Sequence, residues 1–363
     1  MEERHIFTES PEEEMWQTVL QFSYSTNIIK HLAAHGHVPD DALVENISGS
    51  ILQAHEYFQS SKNVSLQISP LLLYYGAINL LNGFSNLITG KINEIKHHGM
   101  RVDLPNSCQY IAEASIRFDN DVIGGIHVFS RAFGYSYNLC NWGDWSIMEI
   151  LGSIAELNPD FCECYPNSEF YVLSISDVKT ENAITERIPL GKLDASKFAK
   201  MFNDVPNSSQ SYLRPNVSQN NEAILRHKLN SKRITELSHS NQKYLQVGHR
   251  KKNNLLVLSP LFYMYVALYA LGTLCRYHPE KWNPFIRNDI TGEKLLVEKF
   301  TFYARRLIPN LALNHITGKR MCFTNDKYRQ TDKTTPVSRN DVQKIIEEEM
   351  RKLSTKGMRM DEF

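Results

Sequence analysis

Hydrophobic positions over the first hundred residues recur at helical spacing. Trp16, Leu20, Phe22, Ile28, Ile29 and Leu32 form one series, which stops at His35-Gly36-His37. A second helix is predicted from Pro39-Asp40-Asp41, where an acidic cap suits the positive end of the helix dipole. It runs through Leu43, Ile47, Ile51 and His55 to Tyr57-Phe58. Ser69-Pro70 opens a third, with Ser as the cap, Pro at the first helical position and LLLYYGAINLLNGF behind them. That segment is apolar nearly all round, which predicts the central helix of a bundle.

From about 100 to 250 the pattern shortens to brief apolar runs between turn signals. Strands are predicted at 110–118, 126–129, 169–175, 184–190 and 244–248, with a helix at 145–157 between them. Residues 203–222, rich in Asn, Ser, Pro and Gln, read as a mobile loop. Helical spacing returns at Ser259-Pro260. SPLFYMYVALYALGT aligns with SPLLLYYGAINLLNG at Ser, Pro, Leu, Tyr75/Tyr265, Ala77/Ala267 and Leu81/Leu271. Duplication, or two buried helices obeying one capping rule, explains the likeness; on either account the two are the natural pair to pack together. An amphipathic segment at 295–316 follows, then a polar tail with a late helix at 342–353.

The expected fold is therefore α+β. A predominantly helical core, with its N- and C-terminal helices packed together, carries a central β-containing insertion. The expected divisions are 1–100, 101–250 as a central subdomain, 251–323, and a tail at 324–363.

Composition narrows the function classes. In 363 residues, 40 Lys+Arg balance 40 Asp+Glu, which argues against general coating of nucleic acid or anionic membrane. Hydrophobic residues at 42% supply a real core. The acidic start MEERHIFTESPEEEMW lacks the apolar stretch of a signal peptide, and the apolar segments at 71–81 and 255–274 read as buried helices. Six cysteines contain no C-x-x-C pair. A cytoplasmic protein without metal or cofactor is expected. No His-Glu-x-x-His, Gly-x-Ser-x-Gly or kinase signature is present.

Two segments carry a family resemblance. One is residues 68–81 followed by His97-His98-Gly99. The other is MYVALYALGTLCRYHPEKW, in which Arg276-Tyr277 and Trp282 close a long apolar helix. In this order, about 180 residues apart, they resemble the YaaC-like family of bacterial proteins, over residues 10–320. More distantly, the first segment is similar to HEPN-type helical domains, whose catalytic members use an Arg-x4–6-His motif. Here Arg276-x-His278 is shorter than that motif and Arg306 to His315 longer. The distant resemblance implies a helical protein of antiphage defence or stress response that binds a small anionic ligand, such as a nucleotide, or a protein partner. A nuclease or nucleotide-processing enzyme and a scaffold subunit or homo-oligomer are the alternatives.

Candidate site residues each carry two readings. His97 and His98, beside Arg101 and Asp103, suit acid–base chemistry or anion binding, or one of them caps the preceding helix. Arg276, His278 and Trp282 suit a pocket in which Arg grips an anion and Trp stacks on a planar group, or they end a helix at Pro279. Gly124-Gly125 lets the chain turn or approach a neighbour closely, and Arg131 follows in a segment read as a hairpin. Arg305 and Arg306, with Lys319-Arg320 and the basic run 249–252, form either solvated faces or, converging on Arg276, an anion site.

Overall fold

The computed structural model describes residues 2–325 apart from 106–110, 121, 136–138, 140–143, 167–169, 181–182, 192, 204–208, 210–211, 229–235, 238–242, 249–257 and 290. The expected late helix at 342–353, the basic run 249–252 and residues 204–208 and 210–211 of the loop 203–222 lie outside these residues; later in that loop Asn216–Val217 form a short strand.

Strand β1 (Glu2–Phe7) precedes helices α1 (Pro11–Leu20), α2 (Ser25–Ala34), α3 (Asp41–Ser60) and α4 (Ser69–Thr89). The first periodic series is thus two helices, broken by a 3-10 turn at Gln21–Ser23. Asp40 caps α3 as its position predicts, its carboxylate accepting the Leu43 N–H at 2.7 Å. In α4 the cap falls one residue earlier than expected: Ser69 and Pro70 are both already helical. The chain then forms β2 (Met100–Asp103), β3 (Ser115–Phe118), α5 (Gly125–Ala132), β4 (Trp145–Ser146), α6 (Ile147–Gly152) and α7 (Asn158–Cys164).

Next come β5 (Phe170–Ser174), β6 (Ser176–Thr180), β7 (Ala183–Pro189), α8 (Ala195–Asn203), β8 (Asn216–Val217), β9 (Glu222–Arg226), β10 (Glu236–Leu237) and β11 (Lys243–Gly248). Helices α9 (Pro260–Tyr277), α10 (Pro279–Asn288) and α11 (Glu293–Thr317) lead to β12 (Lys319–Thr324). The fold is α+β and mostly helical. The stretch 126–129 is a correction to the sequence reading. It is the middle of α5, because Ile126, Phe129 and Phe133 recur at helical spacing and all bury on the helical core.

Helix α4 packs against α3, α9 and α11. It is long and apolar enough to cross a membrane by length and composition, and 61% of its most apolar window is buried inside the protein. Glycines set how close its neighbours come. A Cβ at Gly83 would lie 3.0 Å from the Ile51 side chain, and one at Gly76 would lie 2.7 Å from the Phe58 ring. The backbone of α9 at Gly272 lies against Tyr74 and Leu71. The two Ser-Pro helices, α4 and α9, therefore do pack together.

One large apolar core joins α1–α7 and α9–α11, including Met100 and Phe118 beside the first hairpin. A second, smaller core gathers Leu173, Ile188, Phe198, Phe202 and Leu225, between the antiparallel sheet β6-β7-β9-β8, helix α8 and the β10-β11-β5 sheet. The outermost strands, β1 and β12, pair in parallel with Glu2 opposite Lys319 and Phe7 opposite Thr324. Side chains of α11 occupy the other edge of β12. Asn314 accepts the Met321 N–H at 2.8 Å, Asn310 donates to the Met321 carbonyl at 3.0 Å, and Arg306 donates to the Phe323 carbonyl. That edge is closed without a third strand.

Two glycine substitutions in the α3–α4 pair are expected to act in opposite directions. Phe58 is fully buried with its ring 5.2 Å from that of Trp16, so it cannot yield to a new methyl group. Gly76→Ala should destabilise by about 1–3 kcal/mol through overpacking. Gly49→Ala, with nothing within 4 Å of the new Cβ, should stabilise by roughly 0.5–1 kcal/mol. Urea unfolding of both variants measures the contrast.

Candidate functional site

The site forms where the chain leaves α4 and enters the β2–β3 hairpin. Gly90 ends α4 in the left-handed region, with φ 65°. Residues 96–99 then run beside 123–126. The Gly125 N–H donates to the His97 carbonyl at 2.8 Å and the Ile126 N–H to the His98 carbonyl at 3.1 Å. This approach requires glycine on both sides. Gly99 has φ 76°, and a Cβ at Gly124 would lie 2.5 Å from the Gly99 Cα. The close approach expected of Gly124-Gly125 is thus what holds the two histidines in place.

His97, His98, Met100, Arg101, Asp119 and Asn120 line an open cleft of about 480 Å³. Met100 pairs with Phe118 across the hairpin, and the Asp119 N–H donates to the Gly99 carbonyl at 3.0 Å. That register puts Arg101 and Asp119 side by side, with Arg101 Nε 2.9 Å from Asp119 Oδ1. His97 Nδ1 accepts the Gly99 N–H at 3.0 Å and stands 3.8 Å from Asp119 Oδ2. His127 Nε2 bonds the Asp119 carbonyl at 2.7 Å and fixes the far wall.

Behind the cleft stands a cluster of tyrosines from the two long helices. Tyr74 of α4 bonds His98 Nδ1 through its hydroxyl at 2.7 Å. The His98 ring lies 5.5 Å from that of Tyr74 and 5.4 Å from that of Tyr269. Tyr269 in turn donates to the Met100 carbonyl at 2.5 Å. Tyr265, Tyr269 and Arg276 share one face of α9, because their separations of four and seven residues return to the same side of a helix. Arg276 donates to the Tyr75 hydroxyl.

These contacts set the protonation of the site. Burial against the tyrosines lowers the pKa of His98, and the positive fields of His97 and Arg276 lower it further. Burial raises Tyr74 well above its ordinary value, so its hydroxyl keeps its proton. His98 is therefore a neutral imidazole at neutral pH, exposed to solvent and held through Nδ1.

Some of the expected residues gather here and others do not. His97 and His98 line the cleft; Arg276 lies outside its lining, bonded to Tyr75, and its charge opposes a charge on His98. Trp282 is fully buried, donates to the Gln67 carbonyl at 3.1 Å and packs on Phe285. It anchors the turn before α4 rather than stacking on a ligand. His278 begins α10 and stands 3.3 Å from Glu280. Arg131 folds back on α5, donating to the His127 and Val122 carbonyls. Arg306 is committed to the Phe323 carbonyl, Arg305 lies over the Phe302 ring, and Arg320 pairs with Glu3. None of these arginines lines the cleft.

Tyr74, Tyr269 and Asp119 were not singled out from the sequence as site residues. The Tyr74-Tyr75 doublet was visible, as was the four-residue spacing of Tyr265 and Tyr269; their link to His98 is tertiary. Among the described residues no group of three His, Cys, Asp or Glu is arranged to hold a metal ion.

The electrostatic account of His98 has a direct check. In a proton NMR titration its imidazole should titrate below the ordinary 6.5. Arg276→Ala removes one of the cations opposing its charge and should move the midpoint upward. A midpoint that stays put in the variant would show that Arg276 does not act on the cleft.

The profile of the YaaC-like protein family matches residues 13–316. No curated protein and no solved structure shows a significant match to the chain. The match spans most of the sequence, from α1 to the end of α11, and includes every residue of the cleft. The chain belongs to the YaaC-like family.

Proposed function

We propose that this protein binds a small anionic ligand, with nucleotides as the leading class, in the cleft lined by His97, His98, Arg101, Asp119 and Asn120. The observation that carries the reading is the Arg101–His98 wall. A guanidinium with most of its surface exposed stands near an imidazole whose orientation is fixed by Tyr74 and whose ring is braced by Tyr269. Arginine suits oxyanions because its planar fork donates several hydrogen bonds at once. Aromatic and imidazole rings beside it favour a planar group on the same ligand. Antiphage defence or stress response is the setting implied by the distant likeness of residues 68–99 to HEPN-type domains.

A catalytic reading draws on the same group. A neutral, partly desolvated imidazole hydrogen-bonded to a tyrosine is suited to accept a proton near neutral pH. One Arg-x4–6-His spacing occurs, Arg233 to His239, outside the described residues; chemistry at the cleft itself would run through His98 with Arg101 as the electrostatic partner.

Thermal denaturation with ATP, GTP, pyrophosphate and a short RNA tests both readings. A ligand at a hundred times its Kd should stabilise the fold by about 2.7 kcal/mol, read as a rise in Tm. Arg101→Glu should weaken that ligand at least tenfold, equivalent to about 1.4 kcal/mol, without loss of the fold. Turnover in the same mixtures, lost in His98→Ala, would establish the enzyme. The binding reading fails if no anion raises Tm, or if Arg101→Glu binds as well as the wild type.

A further inference from the structure

We propose that the cleft takes up its anion together with a proton at His98, making the Tyr74–His98 pair the pH-sensitive element of the site. The inference rests on the anion-binding reading above and adds its regulation.

The geometry supplies the argument. His98 is met by Tyr74 from α4, by Tyr269 and Arg276 from α9, and by His97 from its own loop. It shares the cleft with Arg101 from β2 and Asp119 just after β3. Nδ1 bonds a tyrosine hydroxyl, which serves either protonation state, since the hydroxyl donates to a neutral ring and accepts from a charged one. Tyr74 therefore holds the ring in place through a change of charge. The opposition to that charge comes from lost water and from neighbouring cations. An anion in the cleft changes the second of these.

An oxyanion between Arg101 and His98 reverses the second condition. An opposite charge at about 4–6 Å favours the charged form by roughly 1–3 pKa units. Linkage makes the effect reciprocal: whatever the anion adds to the proton affinity of His98, the proton adds to the affinity for the anion. The sign follows directly. Because His98 is neutral in the empty cleft at neutral pH, lowering the pH toward and below 6.5 charges it and tightens anion binding. A site built from Arg101 alone would bind equally well across that range.

The test uses the full chain and sulfate, whose charge is constant over the range. Calorimetric titration at pH 7.5, 6.5 and 5.5 keeps carboxylates ionised and isolates imidazole. Wild type should bind sulfate about tenfold more tightly at pH 5.5 than at 7.5, with net proton uptake when two buffers of different ionisation heat are compared. His98→Gln should lose both the slope and the uptake. His278→Gln, outside the cleft, should keep them. If His98→Gln does not fold, the NMR midpoint of His98 in the wild type answers instead, and should rise when sulfate is added. Sulfate binding that does not vary with pH, an unchanged slope in His98→Gln, or a midpoint indifferent to sulfate overturns this inference alone. Failure of sulfate to bind at every pH overturns the anion site itself, and this inference with it.

Discussion

Helix α4 has to be covered on nearly every side, and most of the architecture follows from how that is done. Its apolar residues point in all directions, so no single partner can bury them. Helix α3 comes close on one side because Gly76 and Gly83 carry no side chain, α9 lies against Tyr74 and Leu71 on another, and α11 completes the cover. Polar groups caught under this cover must find partners inside it. Asn86 does so with Asn46 and with the Asn93 backbone, and Asn82 with Ser50. Tyr74 sits where the cover ends, and its hydroxyl reaches His98. The orientation of the His98 imidazole is thus a consequence of helix burial. The loop bearing it is pinned separately, by the Gly99–Gly124 contact.

How much of this was legible in the sequence follows from the range of each interaction. The Asp40 cap, the Ser-Pro starts of α4 and α9, and the strands at Phe170–Ser174, Ala183–Pro189 and Lys243–Gly248 depend on nearest neighbours along the chain, and local pattern found them. Strand β1 escaped because EERHIF is charged, lacks a clean alternation, and pairs with residues more than 300 positions away. Helix α5 was misread because Gly-Gly followed by Ile, Val and Phe imitates a turn and a strand, while packing on the helical core decides the outcome. The site divided for a similar reason. Adjacent His97 and His98 stay together wherever the loop goes. Arg276, His278 and Trp282, though close in sequence, diverge because α9 ends between the first two, and α10 turns the indole inward to Gln67.

The chain holds a second cluster of the same kinds of side chain, and the two differ in how they are enclosed. In the smaller core, Glu186 faces inward from β7 and is completely buried. Its Oε2 accepts from the Tyr212 hydroxyl at 2.8 Å, its Oε1 stands 3.1 Å from His227 Nε2 at ion-pair distance but outside hydrogen-bond geometry, and the Tyr212 and His227 rings are 4.5 Å apart. Histidine, tyrosine and carboxylate there are packed together inside the small core, and the Tyr212–Glu186 bond ties 212 to the sheet. At the cleft, the same residue types are laid out around open space. Arg101 adds a cation paired with Asp119, and burial together with the charge of Arg276 opposes a charge on His98. The difference between the two clusters lies in geometry rather than composition, which is why counting charges along the sequence does not find it.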